Sequence, residues 1–397
     1  MVKQTLRSSP RRDEDDCVQT RFRCWAEIDL DALRSNLAWI RHRAGPRIKI
    51  LTVVKADAYG HGLKQIAALL MQSGTDIFGV ANLAEARTIR HVGRGWPILL
   101  LGVCLPEEME TVVRDQIMPT ISSLNEAEQF AAIAKQLGQQ VTVHVKVDSG
   151  MGRLGVSADK ALALVEEVTR LRELKLQGLY THYSSAEDDA EYSRFQRDRF
   201  SGVLRQLREA RIEVPLIHAN NSAALLHEPD TTFNLIRPGL LVYGIVPASA
   251  KRTLAIPARS VRPALALYCR VGFVKEIPRG TRLSYGQTFK APRRMRVATL
   301  TAGYGDAYLR SGSNRAEVLI GGQRCRVLGN ITMDQMLADV SRVPNARMGD
   351  RAVLIGAEGN ESITASEVAA WCDTVPWEVL TNITYRVTRI YRGAQAA

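Results

Sequence analysis

Two lysines, two histidines and two arginines stand where short aliphatic runs of this 397-residue chain stop. Lys55 follows the run 48–54 and opens Ala-Asp-Ala-Tyr59-Gly-His-Gly62. Lys146 lies at the end of 141–147, ahead of Asp148-Ser-Gly-Met-Gly-Arg153-Leu-Gly155. His182 follows 176–181, and His218 closes 214–218 before Ala-Asn-Asn221-Ser222. Arg237-Pro-Gly239-Leu240 follows 233–236. A deprotonated lysine adds to aldehydes and moves protons. Arginine holds carboxylate or phosphate with paired N–H groups, and histidine carries protons near neutrality.

Each residue also has a quieter reading. A lysine closing a strand is commonly a solvated edge residue. Gly150, Gly152 and Gly155 spell G-x-G-x-x-G, which by itself describes a turn. A dinucleotide site also wants an acidic residue about 20 positions on, closing the next strand. Glu166 and Glu167 come too early and fall in a helical pattern, so that reading is rejected. His182 and His218 could be satisfied core histidines, and Asn221-Ser222 could only cap a helix.

The elements that carry these residues decide between the readings. Eight aliphatic runs occupy 48–54, 77–80, 98–101, 119–121, 141–147, 176–181, 214–218 and 233–236. Helix-period segments at 84–92, 125–137, 158–171 and 191–210 lie between many of them. That rhythm predicts a (β/α)₈ TIM-like barrel, with an open doubly wound sheet as the alternative. In a barrel, the residues just past the strands share one mouth. After about residue 262 the pattern turns strand-like at 265–274, 296–301, 316–320 and 325–328, with Gly321-Gly322 as a hairpin turn. The organisation expected is therefore a disordered extension over 1–21, a barrel over 22–261 and a mostly β C-terminal domain over 262–397.

Gathered at one mouth, these residues suggest a cofactor. The loops after the last two barrel strands are where barrels bind phosphate. A lysine withdrawn from water beside them loses basicity and can condense with an aldehyde. A phosphorylated aldehyde fits both features, and pyridoxal phosphate is the common one.

Longer segments carry a resemblance. Trp25-Ala-Glu-Ile-Asp-Leu-Asp31, Lys55-Ala-Asp-Ala-Tyr-Gly-His-Gly62 and Lys146-Val-Asp-Ser-Gly-Met-Gly-Arg-Leu-Gly155 resemble bacterial alanine racemase, a fold-type III pyridoxal-phosphate enzyme. So do Tyr180-Thr-His-Tyr183, Asn221-Ser222, Ser284-Tyr-Gly286, Gly303-Tyr-Gly-Asp306, Thr332-Met-Asp-Gln335 and Ile383-Thr-Tyr-Arg-Val387. The resemblance runs in order from about residue 22 to 391.

It implies that Lys55 holds pyridoxal phosphate through its amine and serves as one base. Tyr285 would be the opposing base, supplied by the partner subunit of a homodimer whose active sites are shared. Arg237 would meet the pyridine nitrogen, and His182 would couple to the tyrosine. Arg153 would lie near the cofactor's phenolic oxygen and the substrate carboxylate. Tyr59, Asn221, Ser222, Gly239, Leu240 and Tyr385 would surround the cofactor phosphate. Met333, through its backbone amide, and Asp334 would contact a small amino-acid substrate. Lys146 would be open to carbamylation and would then pair with Arg153. The implied role is cytoplasmic supply of D-alanine as a peptidoglycan precursor. Asn330 and Thr332 depart from the family's frequent Arg and Cys, which keeps serine or a broader set of amino acids as an alternative substrate. An alternative of another class is a non-catalytic pyridoxal-phosphate carrier.

Composition narrows the field. The chain is 46% hydrophobic and 24% charged, which excludes fibrous classes and wholesale disorder. Its apolar runs are shorter than the roughly 18 residues of a membrane span, and the first twenty residues lack a signal-peptide core. No two of the six cysteines form CxxC, so neither a metal site nor a disulfide framework is expected. The net charge of +12 raises nucleic acid as a partner. The surplus sits at 262–330, with thirteen Lys and Arg against three acidic residues, but no nucleic-acid motif accompanies it. The expectation is no nucleic acid and no membrane.

Overall fold

The computed structural model describes residues 22–227, 233–246 and 260–393; the expected extension over 1–21 lies outside them. The chain divides into two units, Asp29–Ala264 with the last residues, and Leu265–Ile390 with the N-terminal segment through Ile28.

The first unit is the barrel. Counting every strand of the chain, β1 is Cys24–Asp29, and the barrel uses β2 (Lys49–Val53), β3 (Ile77–Val80), β4 (Ile98–Leu100), β5 (Thr120–Ile121), β6 (Val141–Asp148), β8 (Leu174–Tyr180), β9 (Leu216–His218) and β10 (Leu235–Ile236), with a short β7 (Val156–Ser157) beside β6. β10, β2, β3 and β4 pair in parallel, as do β5, β6, β8 and β9. Leu100 N donates to Met118 O at 2.8 Å across one gap, and Asn234 N to Ile217 O at 3.2 Å across the other, so the ring closes. Leu51, Val53, Ile77, Leu99, Met118, Leu216 and Leu235 fill the interior as a buried cluster. Those β-branched and aliphatic runs pack on both faces, which is why they read as continuous rather than alternating.

The second unit is mostly antiparallel sheet. β11 (Leu265–Ile277), β14 (Met295–Leu300), β17 (Met336–Asp339), β16 (Gln323–Leu328), β15 (Glu317–Ile320) and β18 (Arg351–Glu358) neighbour one another in that order, and β18 returns to pair with β11. Gly321 and Gly322, at φ +59 and +71, turn Ile320 onto Gln323 as the sequence predicted. Only the type I′ hairpin asks for positive φ at both central residues.

Two expectations need correction here. The division falls after Ala264 rather than after residue 261, and 22–28 does not belong to the barrel. Its strand β1 pairs antiparallel with β11, a partner about 240 residues away that local periodicity cannot reveal. The basic stretch 262–330 is largely occupied within its own unit. Arg324 meets Glu317, Glu361 and Glu367 at 3.1, 2.8 and 2.9 Å, Arg315 meets Asp373 at 2.7 Å, and Arg296 donates to the carbonyls of Val343, Pro344 and Ala346. Among the described residues no helix is long and apolar enough to cross a membrane.

Candidate active site

Lys55 leaves β2 into an unusual turn. Ala56, Asp57, Ala58 and Tyr59 all have φ between +52 and +54, a short left-handed helix built without glycine. Each such residue costs about 1–2 kcal/mol relative to the right-handed form. Side chains hold the turn in place: Glu85 accepts from Ala56 N at 2.7 Å and from Ala81 N at 2.8 Å, and Asp57 accepts from Leu63 N at 2.7 Å. Strain maintained this way marks functional loops. The turn brings Tyr59 against Tyr243, ring centroids 4.9 Å apart, while the Tyr243 hydroxyl donates to Val53 O.

Tyr59 faces the loop after β10. A Cβ on Gly239 would come within 2.8 Å of the Tyr59 hydroxyl, so only glycine leaves that space open. Ser222 Oγ accepts from Gly239 N at 3.0 Å and Leu241 N at 3.3 Å, gathering the loop's amides around buried Leu240. Asn221 Oδ1 accepts from Ala224 N at 3.0 Å, so its side chain caps the helix Ser222–His227. The cap reading of Asn221 holds, and its part near a phosphate rests with its position. Burial, then Glu85, pushes the Tyr59 hydroxyl up to about 12, so it remains a donor at neutral pH.

Arg237 is the centre of the barrel's polar interior, 4% exposed. Its Nη2 shares its two hydrogens among Thr181 O at 2.8 Å, Ala219 O at 2.9 Å and His182 Nδ1 at 3.1 Å, and its Nη1 donates to His218 Nδ1 at 2.8 Å. Its Nε has no acceptor among the described residues. Burial lowers its pKa to about 10, still charged at neutral pH. Because arginine only donates, both histidines accept at Nδ1, and each neutral ring carries its proton on Nε2. His218 Nε2 then donates to His144 Nδ1 at 3.0 Å, which leaves the buried His144 Nε2 without a partner. Burial, then Arg237, lowers the pKa of all three histidines, His144 to about 3. Tyr180 stacks on His218 at 4.6 Å and hydrogen-bonds Thr120 at 2.7 Å.

The lysines share this electropositive mouth. Lys146 is 3% exposed, with Nζ 5.7 Å from the Tyr180 ring centroid. Burial, then Arg153 and Arg237, lowers its pKa to about 8. Lys55 is reachable from solvent yet set among protein atoms; that desolvation, then the charge of Arg153, lowers its pKa, with Glu85 opposing. Arg153 is exposed on the loop after β6. Asp148 organises that loop by accepting from Gly150, Met151 and Gly152 N at 2.8–3.1 Å. The glycine spacing therefore serves a carboxylate-centred turn.

The remaining predicted residues lie on the second unit. Tyr285 is 76% exposed beside Ser284, whose φ is +61. Asn330 Nδ2 donates to Tyr285 O at 2.8 Å, and Ser284 Oγ to Asn330 O. Ser284, Tyr285, Thr299, Asn330, Thr332, Gln335, Met336 and Leu337 line a pocket of about 410 Å³. Asp334 pairs with Arg386 at 2.8 Å, and Arg386 meets Asp306 at 3.4 Å. Met333 and Tyr385 are exposed. Thr332 Oγ1 and Asn330 Nδ2 are thus both spent on backbone carbonyls.

Sequence reasoning missed His144, Gln196 and Glu85. His144 sits mid-strand, at one of the polar positions that alternate with valine over 141–147. Gln196, fully buried in the helix Ala190–Glu209, donates to His182 O at 3.1 Å and accepts from Ser184 N at 2.9 Å. Gly178 is the one outward sign of His144: a Cβ there would meet His144 Nδ1 at 2.2 Å.

This donor set fits pyridoxal phosphate. A glycine-lined, amide-bearing cradle suits the phosphate, a buried guanidinium with an unused Nε suits the ring nitrogen, and a lysine of lowered pKa suits the aldehyde.

Comparison with known proteins agrees. The family model of the alanine racemase N-terminal domain matches residues 28–247, and that of the C-terminal domain matches 264–391. The chain is 38% identical over 370 residues to the alanine racemase of Halothermothrix orenii, covering 93% of this chain and 97% of that one. It is similar to the crystal structure of alanine racemase from D-cycloserine-producing Streptomyces lavendulae, with TM-score 0.88, 31% identity, and 94% and 98% of the two chains covered. It is also similar to the alanine racemase of Bartonella henselae with covalently bound pyridoxal phosphate, with TM-score 0.84, 26% identity, and 94% and 100% covered.

Proposed function

The chain belongs to the alanine racemase family, and we propose that Lys55 and Tyr285 of the partner subunit carry its reaction, the pyridoxal-phosphate-dependent interconversion of L- and D-alanine. Inversion at Cα needs a proton taken from one face and one delivered to the other, so two bases on opposite faces suffice. When bound, pyridoxal phosphate supplies the electron sink that makes the Cα proton acidic. Tyr59, Ser222, Gly239 and Leu240 would hold its phosphate, with Asn221 shaping the loop by its cap and Tyr385 as a further expected contact.

Lys55 Nζ would hold the cofactor between turnovers and move the proton on one face of Cα. Its lowered pKa supports that role, since an ordinary lysine stays protonated at neutral pH. Tyr285 Oη moves the proton on the other face. His182 supports Tyr285: with Nδ1 committed to Arg237, its Nε2–H is the donor left for a phenolate oxygen. Arg153 and the Met333 amide orient the substrate carboxylate, and Asp334, held by Arg386, fixes the Met333 loop. Lys146, with a pKa near 8, has a neutral amine to offer carbon dioxide, and the carbamate would pair with Arg153.

One observation carries the reading: Arg237, the group proposed for the ring nitrogen, is buried, and its four protein partners fix it as a pure donor. Such a donor leaves that nitrogen unprotonated. The bound group would then supply only a weak electron sink, which suits return of the proton to Cα. With the two bases on different units of different copies, the working form is a homodimer, acting in the cytoplasm.

The test is incubation of the holoenzyme with each L-amino acid, serine included, and chiral chromatography of the products. D-alanine as the main product supports the reading; no D-amino acid from any substrate overturns it.

A further inference from the structure

We propose that Cys24 and Cys269 form a built site of thiol oxidation, closing to a disulfide when the folded protein meets a small-molecule disulfide. Cys24 opens β1 and is the direct register partner of Cys269 on β11. The flanking bonds define the kind of pair. Arg270 N donates to Arg23 O, one residue outside the cysteines on each strand, and Asp29 N donates to Ala264 O six residues further along, in the same phase. The cysteines therefore occupy a non-hydrogen-bonded position of the antiparallel ladder. Opposed residues there sit about 4.5 Å apart at Cα, with side chains on one face. That separation lies within the roughly 4.4–6.8 Å a disulfide spans. Both thiols are free, and Cys104, Cys325 and Cys372 are register partners of neither.

The order of events follows from exposure. Cys24 is 6% exposed and lies at the strand's first residue, whereas Cys269 is 0% exposed. The Cys24 thiolate attacks one sulfur of the small disulfide, forming a mixed disulfide and expelling one small thiolate. The Cys269 thiolate then attacks the Cys24 sulfur and expels the second. Two protein thiols are oxidised and one small disulfide is reduced, and the two protons the protein thiols give up end on the two small thiols it becomes. Burial raises both thiol pKa values, with Asp306 adding to each, so the exchange is slow near neutrality and quickens as pH rises. The closed ring of chain contains the whole barrel sequence, 29–264. The bridge ties the strand that leads into that segment to the strand that leaves it, a long loop of the kind whose closure restricts the unfolded chain most.

The experiment treats the holoenzyme with cystamine at mildly alkaline pH. It is then alkylated in denaturant and mapped by mass spectrometry of tryptic peptides without reductant. The expected result is a linked pair of peptides carrying Cys24 and Cys269, together with a thermal midpoint that rises and returns to its starting value after reductant. Cys24→Ser should abolish the link, and should Cys24→Ser not fold, Cys269→Ala serves the same purpose. Recovery of Cys24 and Cys269 as separately alkylated residues while Cys104 carries cysteamine overturns the proposal. Linkage of Cys269 to any other cysteine also overturns it.

Discussion

Arg237 donates to Nδ1 of His218 at 2.8 Å, and that bond decides where the proton sits on two buried rings. His218 must pass its own N–H to His144, and His144 is left with an N–H that meets nothing. The chain starts at the arginine proposed to meet the cofactor's ring nitrogen and ends in the barrel interior.

That asymmetry gives unequal costs. His218→Phe strands an Arg237 N–H and both nitrogens of His144, and should destabilise by about 2–3 kcal/mol. His144→Phe strands only the His218 Nε2–H while removing a donor that was already unpaired. It should cost about 0–1 kcal/mol, which urea denaturation of the two variants measures. Gly178→Ala forces His144 aside and should cost about 1–3 kcal/mol in the same assay.

Lys55 adds to an aldehyde only as the neutral amine. Its pKa lies below the ordinary 10.5, through desolvation and then Arg153. The rate at which apoenzyme and pyridoxal phosphate develop visible absorbance should therefore rise with pH and level off below pH 10.5. Arg153→Met removes a positive neighbour and should move the midpoint upward; stopped-flow absorbance across pH reads both.

Lys146 makes the apoenzyme less stable than it could be. Its folded pKa, about 8, is below the ordinary 10.5. Between those values the unfolded chain holds a proton that the folded chain has released, so stability rises with pH across that window. Below pH 8 the folded lysine is charged and bears its full burial cost. Lys146→Met should therefore stabilise the apoenzyme at pH 7 by about 2–3 kcal/mol and flatten the alkaline rise. Bicarbonate should stabilise the parent chain and leave the variant unchanged.

The barrel was readable because its strands bury both faces, so 98–101 stands out as an unbroken aliphatic run, while 141–147 shows itself by valine at every other position. The mouth was readable for a related reason: polar residues follow those runs at once, and Lys55, His182 and Arg237 could be located by counting past strand ends. What stayed hidden depends on distant partners or on conformation. β1 is fixed by β11, far along the chain, and Gly321-Gly322 was visible only because its turn demands glycine. The left-handed turn at 56–59 carries no glycine, since Glu85 and Asp57 hold it through backbone amides. His144 looks like any residue of a buried strand until Gly178 is seen to leave it room. The Asn221 cap shows how one sequence signal serves two readings, since helix start and phosphate loop coincide there.

The proposed sharing of each site between two copies of the chain has a direct test. Lys55→Ala and Tyr285→Phe proteins, each inactive alone, are mixed, dissociated and allowed to reassociate. In a hybrid dimer one site then carries both substitutions, while the other pairs an intact Lys55 with an intact Tyr285. An equal mixture should regain about a quarter of the parent racemase activity, because half the dimers are hybrids with one good site in two. Activity that never exceeds the sum of the separate variants would contradict the account, since it would place both bases on one copy of the chain or on no common site.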